Sequence, residues 1–195
     1  MSQALPFLCG PAALITLLSW KGSIIANDLG NQIDLWRTAN TVFMGQGPAG
    51  CDGAGLLRAA DKHNQKLKLI RTKSDFSFAR TVRSEVQKTV IRQVENDNLA
   101  FADALGRLIT INEMKSAKQF LPDTPALLLC SMRAYSMSNE YHWITFKPGA
   151  DMAIYDPLSG QYETKIDLRF FESFLHNGLH STLSAYEKYI VDIIF

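Results

Sequence analysis

Cys9 stands immediately before Gly10-Pro11-Ala12-Ala13-Leu14, where small residues lead into an uncharged apolar run. A thiol placed there sits at the positive end of a helix dipole, where unpaired backbone N–H groups favour the thiolate, the form that attacks carbonyl carbon. On its own, a cysteine beside an apolar helix reads more simply as a small core residue. Its company changes that reading. Gln3 lies six residues earlier, and a chain folding back over the helix start would aim its amide N–H at the oxygen of the attacked carbonyl. With the Cys9 backbone N–H it would form an oxyanion hole. A polar residue so near a terminus is otherwise most simply unordered.

His142 lies in the strand-like run Tyr141-His142-Trp143-Ile144-Thr145-Phe146, and Asp156 closes the next such run, Met152-Ala153-Ile154-Tyr155-Asp156. Pro157 holds Asp156 extended. A hairpin turning about Gly149 pairs Phe146 with Met152, Ile144 with Ile154, and His142 with Asp156, which brings the last pair's Cβ atoms within about 4.5 to 5.5 Å. That register gathers four apolar side chains on the face that carries His142 and Asp156. Trp143 and Thr145 then look the other way. A two-residue turn at Pro148-Gly149 would instead set Tyr155 opposite His142 and send Asp156 to the other face.

The elements needed to hold these residues are legible as helices first and strands later. Helices are expected over 9–19, 27–39 and 50–63, the first tolerating Pro11 in its opening turn and the second opening on the Asn27-Asp28 cap signal with Leu29, Ile33 and Trp36 at helical spacing. Residues 66–69 alternate as a strand. The segment 82–105 reads as an amphipathic helix, with Val82, Val86, Val90 and Val94 on one side and Arg83, Lys88, Arg92 and Glu95 as a solvated face. Strands are expected over 107–111, 126–130, 142–146, 152–155 and 188–195, with helices at 112–120 and 167–175. Helices gathered before a mostly antiparallel sheet make an α+β domain.

Rival constellations are weaker. Gly45-Gln46-Gly47-Pro48-Ala49-Gly50 spells GxGxxG after the apolar Thr41-Val42-Phe43-Met44. Pro48 is awkward in a dinucleotide turn, and the later hairpins do not supply further βαβ units, so a glycine-rich turn before the third helix is the better reading and no cofactor is expected. Cys51 also follows glycines at a helix start. Its neighbour His63 is twelve residues along the same helix, about 18 Å of rise and too far for proton transfer. His176 and His180 have metal-like spacing, but Gly178 lies between them and no acidic or sulfur ligand accompanies them, so no metal is expected.

Composition bounds the function. The 195 residues, 47% of them hydrophobic and 20% charged, suit one domain over 1–195 with a proper core. Twenty Lys plus Arg against 19 Asp plus Glu give no field of one sign, which disfavours nucleic acid and anionic membrane as partners. Three cysteines, Cys9, Cys51 and Cys130, are an odd number without paired spacing, and point to a reducing compartment such as the cytoplasm. The apolar stretch 5–20 has no basic residue before it and is interrupted by Gly10-Pro11. It is a buried helix and not a leader or a span.

Gln3 with Cys9-Gly10-Pro11-Ala12-Ala13, then His142-Trp143 and Asp156-Pro157, resembles the papain-like cysteine peptidase superfamily, in particular the bacterial peptidases that cut double-glycine leader peptides. Leu35-Trp36-Arg37, Thr41-Val42-Phe43-Met44, the glycine-rich stretch to Cys51, and Val82-Arg83-Ser84-Glu85 resemble a bacterial family of peptidase-like proteins that accompany acetyltransferases and ATP-grasp ligases. The resemblance covers most of residues 3–157. It implies a papain-like fold and a Cys9-His142-Asp156 triad with Gln3 as oxyanion donor: Cys9 attacks a peptide or amide carbonyl, His142 shuttles the proton, and Asp156 orients the ring. The resulting thioester is released to water by a peptidase or amidase, or to an amine or thiol by an acyltransferase or transpeptidase. A non-catalytic peptide-binding module on the same fold is the third reading. A peptide or protein substrate is implied, with acetyltransferase or ATP-grasp ligase partners by resemblance. The chain lacks the transporter to which the leader peptidases are fused.

Overall fold

The structure is a computed structural model that describes residues 2–40, 50–72, 78–81, 83–111, 123–131, 141–150, 152–164 and 192–194. The helices expected at 112–120 and 167–175, the glycine turn at 45–49, Val82, His176 and His180 lie outside the described residues.

Four helices, α1 (Cys9–Trp20), α2 (Leu29–Ala39), α3 (Gly53–Lys62) and α4 (Glu85–Ala104), accompany strands β1 (Leu69–Thr72), β2 (Leu108–Ile111), β3 (Ala126–Ser131), β4 (Tyr141–Lys147), β5 (Ala153–Asp156), β6 (Gln161–Thr164) and β7 (Asp192–Ile194). The strands form one sheet in the order β2-β1-β7-β3-β4-β5-β6. All neighbours are antiparallel except β1 and β2, which run parallel with α4 as their crossover. The architecture is α+β and papain-like, as the order of elements implies, with one βαβ unit that the hairpin reading omits.

Each capped helix begins where a short polar side chain takes an orphan N–H: Asp28 accepts from Asn31, Asp52 from Gly55, and Ser84 from Gln87. Helix α1 is apolar all round and buried from Cys9 through Leu18, as a central helix must be. It packs on β3 and β4, while α3 packs on β1 and β7. Thr145 ties β4 to α1 by donating its hydroxyl to Ala13 O at 3.1 Å. The core joins α1, α2 and α3 to Leu127, Leu129 and Trp143 of the sheet.

Several expectations are corrected. Strand β1 begins at Leu69, three residues beyond the expected start at Lys66. In α2 the buried positions are Gln32, Leu35 and Ala39, and Leu29 is half-exposed. In α4 the valine stripe only borders the core face: Val86 is 74% exposed, while Val90 and Val94 are half-buried. The buried positions are Ile91, Glu95, Asn98 and Ala102. Glu95, expected in solvent, accepts the Phe78 N–H at 2.7 Å, and Asn98 donates to Asp52 Oδ2 at 2.9 Å. The Glu95 carboxylate and the Asn98 Nδ2 are thereby paired, although Asn98 Oδ1 is buried without a partner, so polarity at 95 and 98 marks an interface and not a solvated face. Strand β6, short and polar, had no hydrophobic alternation to announce it.

Candidate active site

Cys9 is the first residue of α1. The N-cap position is Leu8, which has no side-chain acceptor, and no acidic residue follows in the first turn. Leu8 itself is held by its backbone N–H donating to Leu5 O at 3.0 Å. An apolar cap leaves the leading N–H groups of the helix without a side-chain acceptor, which is the condition under which they can serve an anion instead.

Gly10 allows the close packing behind the thiol. A Cβ there would lie 3.2 Å from Trp143 Cδ1 and 3.3 Å from both Cys51 Cβ and Leu56 Cδ1. Trp143 donates its indole N–H to Cys51 O at 2.9 Å. Strand β4, the head of α1 and the head of α3 are thereby fastened at one point.

On β4, His142 is buried at 5% exposure. Its Nε2 lies 2.6 Å from Asp156 Oδ1, and the Cys9 side chain is near enough to raise the ring's pKa. Asp156 is aimed by its own turn: Oδ1 accepts the Leu158 N–H at 2.8 Å, and its carbonyl accepts the Gly160 N–H at 2.8 Å. Gly160 adopts φ +68°, a conformation that suits glycine. Burial alone would lower the His142 pKa, but the Asp156 carboxylate and the Cys9 side chain outweigh it and push it up to about 9. For Asp156, burial raises the pKa, and the hydrogen bond from His142 with that residue's charge brings it below the usual carboxylate value. The pair is thus an imidazolium and a carboxylate at neutral pH.

The route to this geometry differs from the expected register. The ladder pairs Thr145 with Tyr155, Phe146 with Ile154 and Lys147 with Ala153, so the turn is centred on Ala150 and not on Gly149. One step beyond, Asp156 comes level with Ile144, and His142 is its diagonal neighbour. A slip of two residues keeps every side chain on its face, so apolar patterning cannot detect it. The alternative that sends Asp156 to the opposite face does not occur.

Gln3 is brought to the same end of the sheet, its backbone N–H donating to Pro157 O at 2.8 Å. Its side-chain amide donates to Leu5 O at 3.1 Å and Pro6 O at 3.0 Å, and its Oε1 is buried without a partner. Cys51 precedes the α3 cap and does not open the helix. Burial pushes its thiol well above its usual pKa, and the charges of Cys9 and Asp52 add to this. His63 is the C-cap residue at the far end of α3. Among the described residues, no group of His, Cys, Asp or Glu has the makings of a metal site. No helix among them is long and apolar enough to cross a membrane.

Sequence reasoning missed Trp143, Gly10 and Asn98 as supports of the site. The tryptophan had a signal, adjacency to His142, but its partner is a backbone carbonyl 92 residues away.

An α+β chain that sets a cysteine at the head of its central buried helix, against an imidazole carried on the sheet, has the architecture of the papain-like cysteine peptidases. A family model described as the Peptidase_C39 like family matches residues 1–172, and the chain belongs to that family. No curated protein matches it.

Proposed function

We propose that the protein is a cysteine peptidase or amidase acting on a peptide substrate, with Cys9, His142 and Asp156 as its triad. The observation that carries this reading is the contact of His142 Nε2 with Asp156 Oδ1 at 2.6 Å, on a ring whose pKa the nearby Cys9 side chain also raises. With Nε2 held by the carboxylate, Nδ1 is left to face the thiol, and Asp156 fixes that orientation. The Cys9 thiolate attacks the carbonyl carbon, forming the S–C bond while the carbonyl electron pair moves to oxygen. The His142 imidazolium then gives its proton to the departing amine as the C–N bond breaks. Water, giving a proton to the neutral ring, attacks the thioester carbon; the C–S bond breaks, the carboxylic acid product leaves, and the thiolate and imidazolium return.

The oxyanion of each tetrahedral intermediate is served by the Cys9 backbone N–H and the Gln3 amide. Donation by Gln3 requires its amide to leave one of the Leu5 and Pro6 carbonyls. A reducing cytoplasm suits a free thiol nucleophile. The test is to incubate the protein and Cys9→Ala with a peptide library, with and without an added amine, and read the products by mass spectrometry. Cleavage by the wild type alone supports the reading, and products carrying the amine would move it to acyl transfer. Identical product sets from both proteins would remove it.

A further inference from the structure

We infer that Gln32, a buried residue of α2, is a positioning residue for oxyanion stabilisation, acting through the Ser2-Gln3-Ala4 strap that it holds against the Asp156 turn. The inference rests on the hydrolase reading above. Gln32 is 1% exposed, and its amide grips the strap from both sides of Gln3. Its Oε1 accepts the Ala4 N–H at 2.9 Å, and its Nε2 donates to Ser2 O at 3.2 Å. The amide is oriented by a third bond, Nε2 to Asn27 Oδ1 at 2.6 Å. This is a side chain imitating a strand neighbour, taking one backbone N–H and one backbone C=O of a segment that belongs to no sheet.

The residue between those two grips is Gln3, whose backbone N–H donates to Pro157 O at 2.8 Å. Ser2 lies against Gly160 closely enough that a Cβ there would come within 3.2 Å of Ser2 Cβ. The strap therefore connects α2 to the turn that aims Asp156, and its backbone is fixed on both sides of Gln3. A donor to an oxyanion loses much of its effect when displaced by about an ångström, so the anchor decides whether Gln3 can serve. Burying an amide at a position where leucine or methionine would pack imposes a desolvation cost that those two bonds to the strap offset. The third bond returns to Asn27, the residue before the α2 cap, so the grip on the strap is braced from the start of the helix that carries it.

A peptide aldehyde separates the parts. The Cys9 thiolate adds to the aldehyde carbon, forming an S–C bond as the C=O π pair moves to oxygen, and the resulting alkoxide occupies the oxyanion hole, whereas alkylation by iodoacetamide needs the thiolate but no oxyanion donor. In Gln32→Met the aldehyde should bind roughly ten to a hundred times more weakly, with the Cys9 alkylation rate unchanged. Combined with Gln3→Ala, Gln32→Met should add nothing further, because its effect passes through Gln3. Should Gln32→Met not fold, Ala4→Pro removes the strap N–H while leaving the helix intact, and the same pattern is expected. Unaltered aldehyde affinity in the strap variant, or a loss additive with Gln3→Ala, overturns the inference. Failure of the wild type to bind aldehyde at Cys9, despite normal alkylation there, overturns the hydrolase reading instead.

Discussion

Two buried thiols near one another differ in the polar groups around them. Cys51 is fully buried beside Asp52, and burial first, then the charges of Cys9 and Asp52, hold it protonated. Cys9 has an apolar cap behind it and acts on an imidazole whose pKa is pushed up to about 9. Limited iodoacetamide treatment at neutral pH, read by peptide mapping, should therefore modify Cys9 first, and preferential labelling of Cys51 would remove Cys9 as nucleophile. The carboxylate gives a second expectation. Asp156→Asn changes one polar atom at a strand end, so the fold should persist, yet the imidazole loses the partner that sets its tautomer, and turnover should drop by about two to four orders of magnitude. The same variant has a pH signature in melting temperature. The raised His142 pKa contributes stability that is full below 6.5 and lost as pH rises through about 9. The lowered Asp156 pKa contributes stability that is full above 3.8 and lost as pH falls through the folded-state value. The gap in melting temperature between wild type and Asp156→Asn should be widest between these limits and shrink from pH 6.5 upward, and a gap independent of pH would mean that no such ion pair exists.

At the scale of elements, the site depends on how closely the helix heads meet. Gly55 is where α3 crosses the end of α2: a Cβ there would fall 2.1 Å from Ala39 O, a backbone atom that cannot rotate away. Gly55→Ala should cost about 1 to 3 kcal/mol by forcing the two helices apart, lowering the melting temperature by several degrees, whereas a neutral effect would mean that the approach is not required. That requirement explains why the sequence revealed some elements and not others. Helix α1 was legible to within a residue because its apolar run is bounded by small residues and Lys21. His142 and Asp156 were placed on one face because strand parity is written in the alternation. The buried faces of α2 and α4 were misread because Gln32, Glu95 and Asn98 are polar, and their burial depends on partners far along the chain: the strap at Ser2 and Ala4, Phe78, and Asp52. Polar burial carries no periodic signal in the sequence, since its warrant is the partner and not the side chain's own hydropathy.

Across the whole molecule, β7 has the decisive position, between β1 and β3 in the sheet. Without it, β2 and β1 on one side have no described ladder to β3, β4, β5 and β6 on the other. The division matters for chemistry, because α3 packs on β1 and β7 while α1 packs on β3 and β4. Cys9 and His142 belong to the second group, whereas the Cys51 carbonyl that receives the Trp143 indole stands at the head of α3. A strand of three residues thus helps to keep the thiol's surroundings in register with the imidazole. Ile193 is the test position, paired with Ile70 on one side and Leu128 on the other. Proline cannot donate to a ladder and is confined to sheet edges, so Ile193→Pro in a central strand should cost about 3 kcal/mol or more. At roughly 2 to 4 °C per kcal/mol for a chain of this size, the melting temperature should fall by about 10 °C. If β7 joins the halves, Cys51 should also gain reactivity towards iodoacetamide at temperatures below the transition, because the α3 head loses its fastening. A variant that melts like the wild type, with Cys51 still protected, would show that the helices alone hold the two halves together.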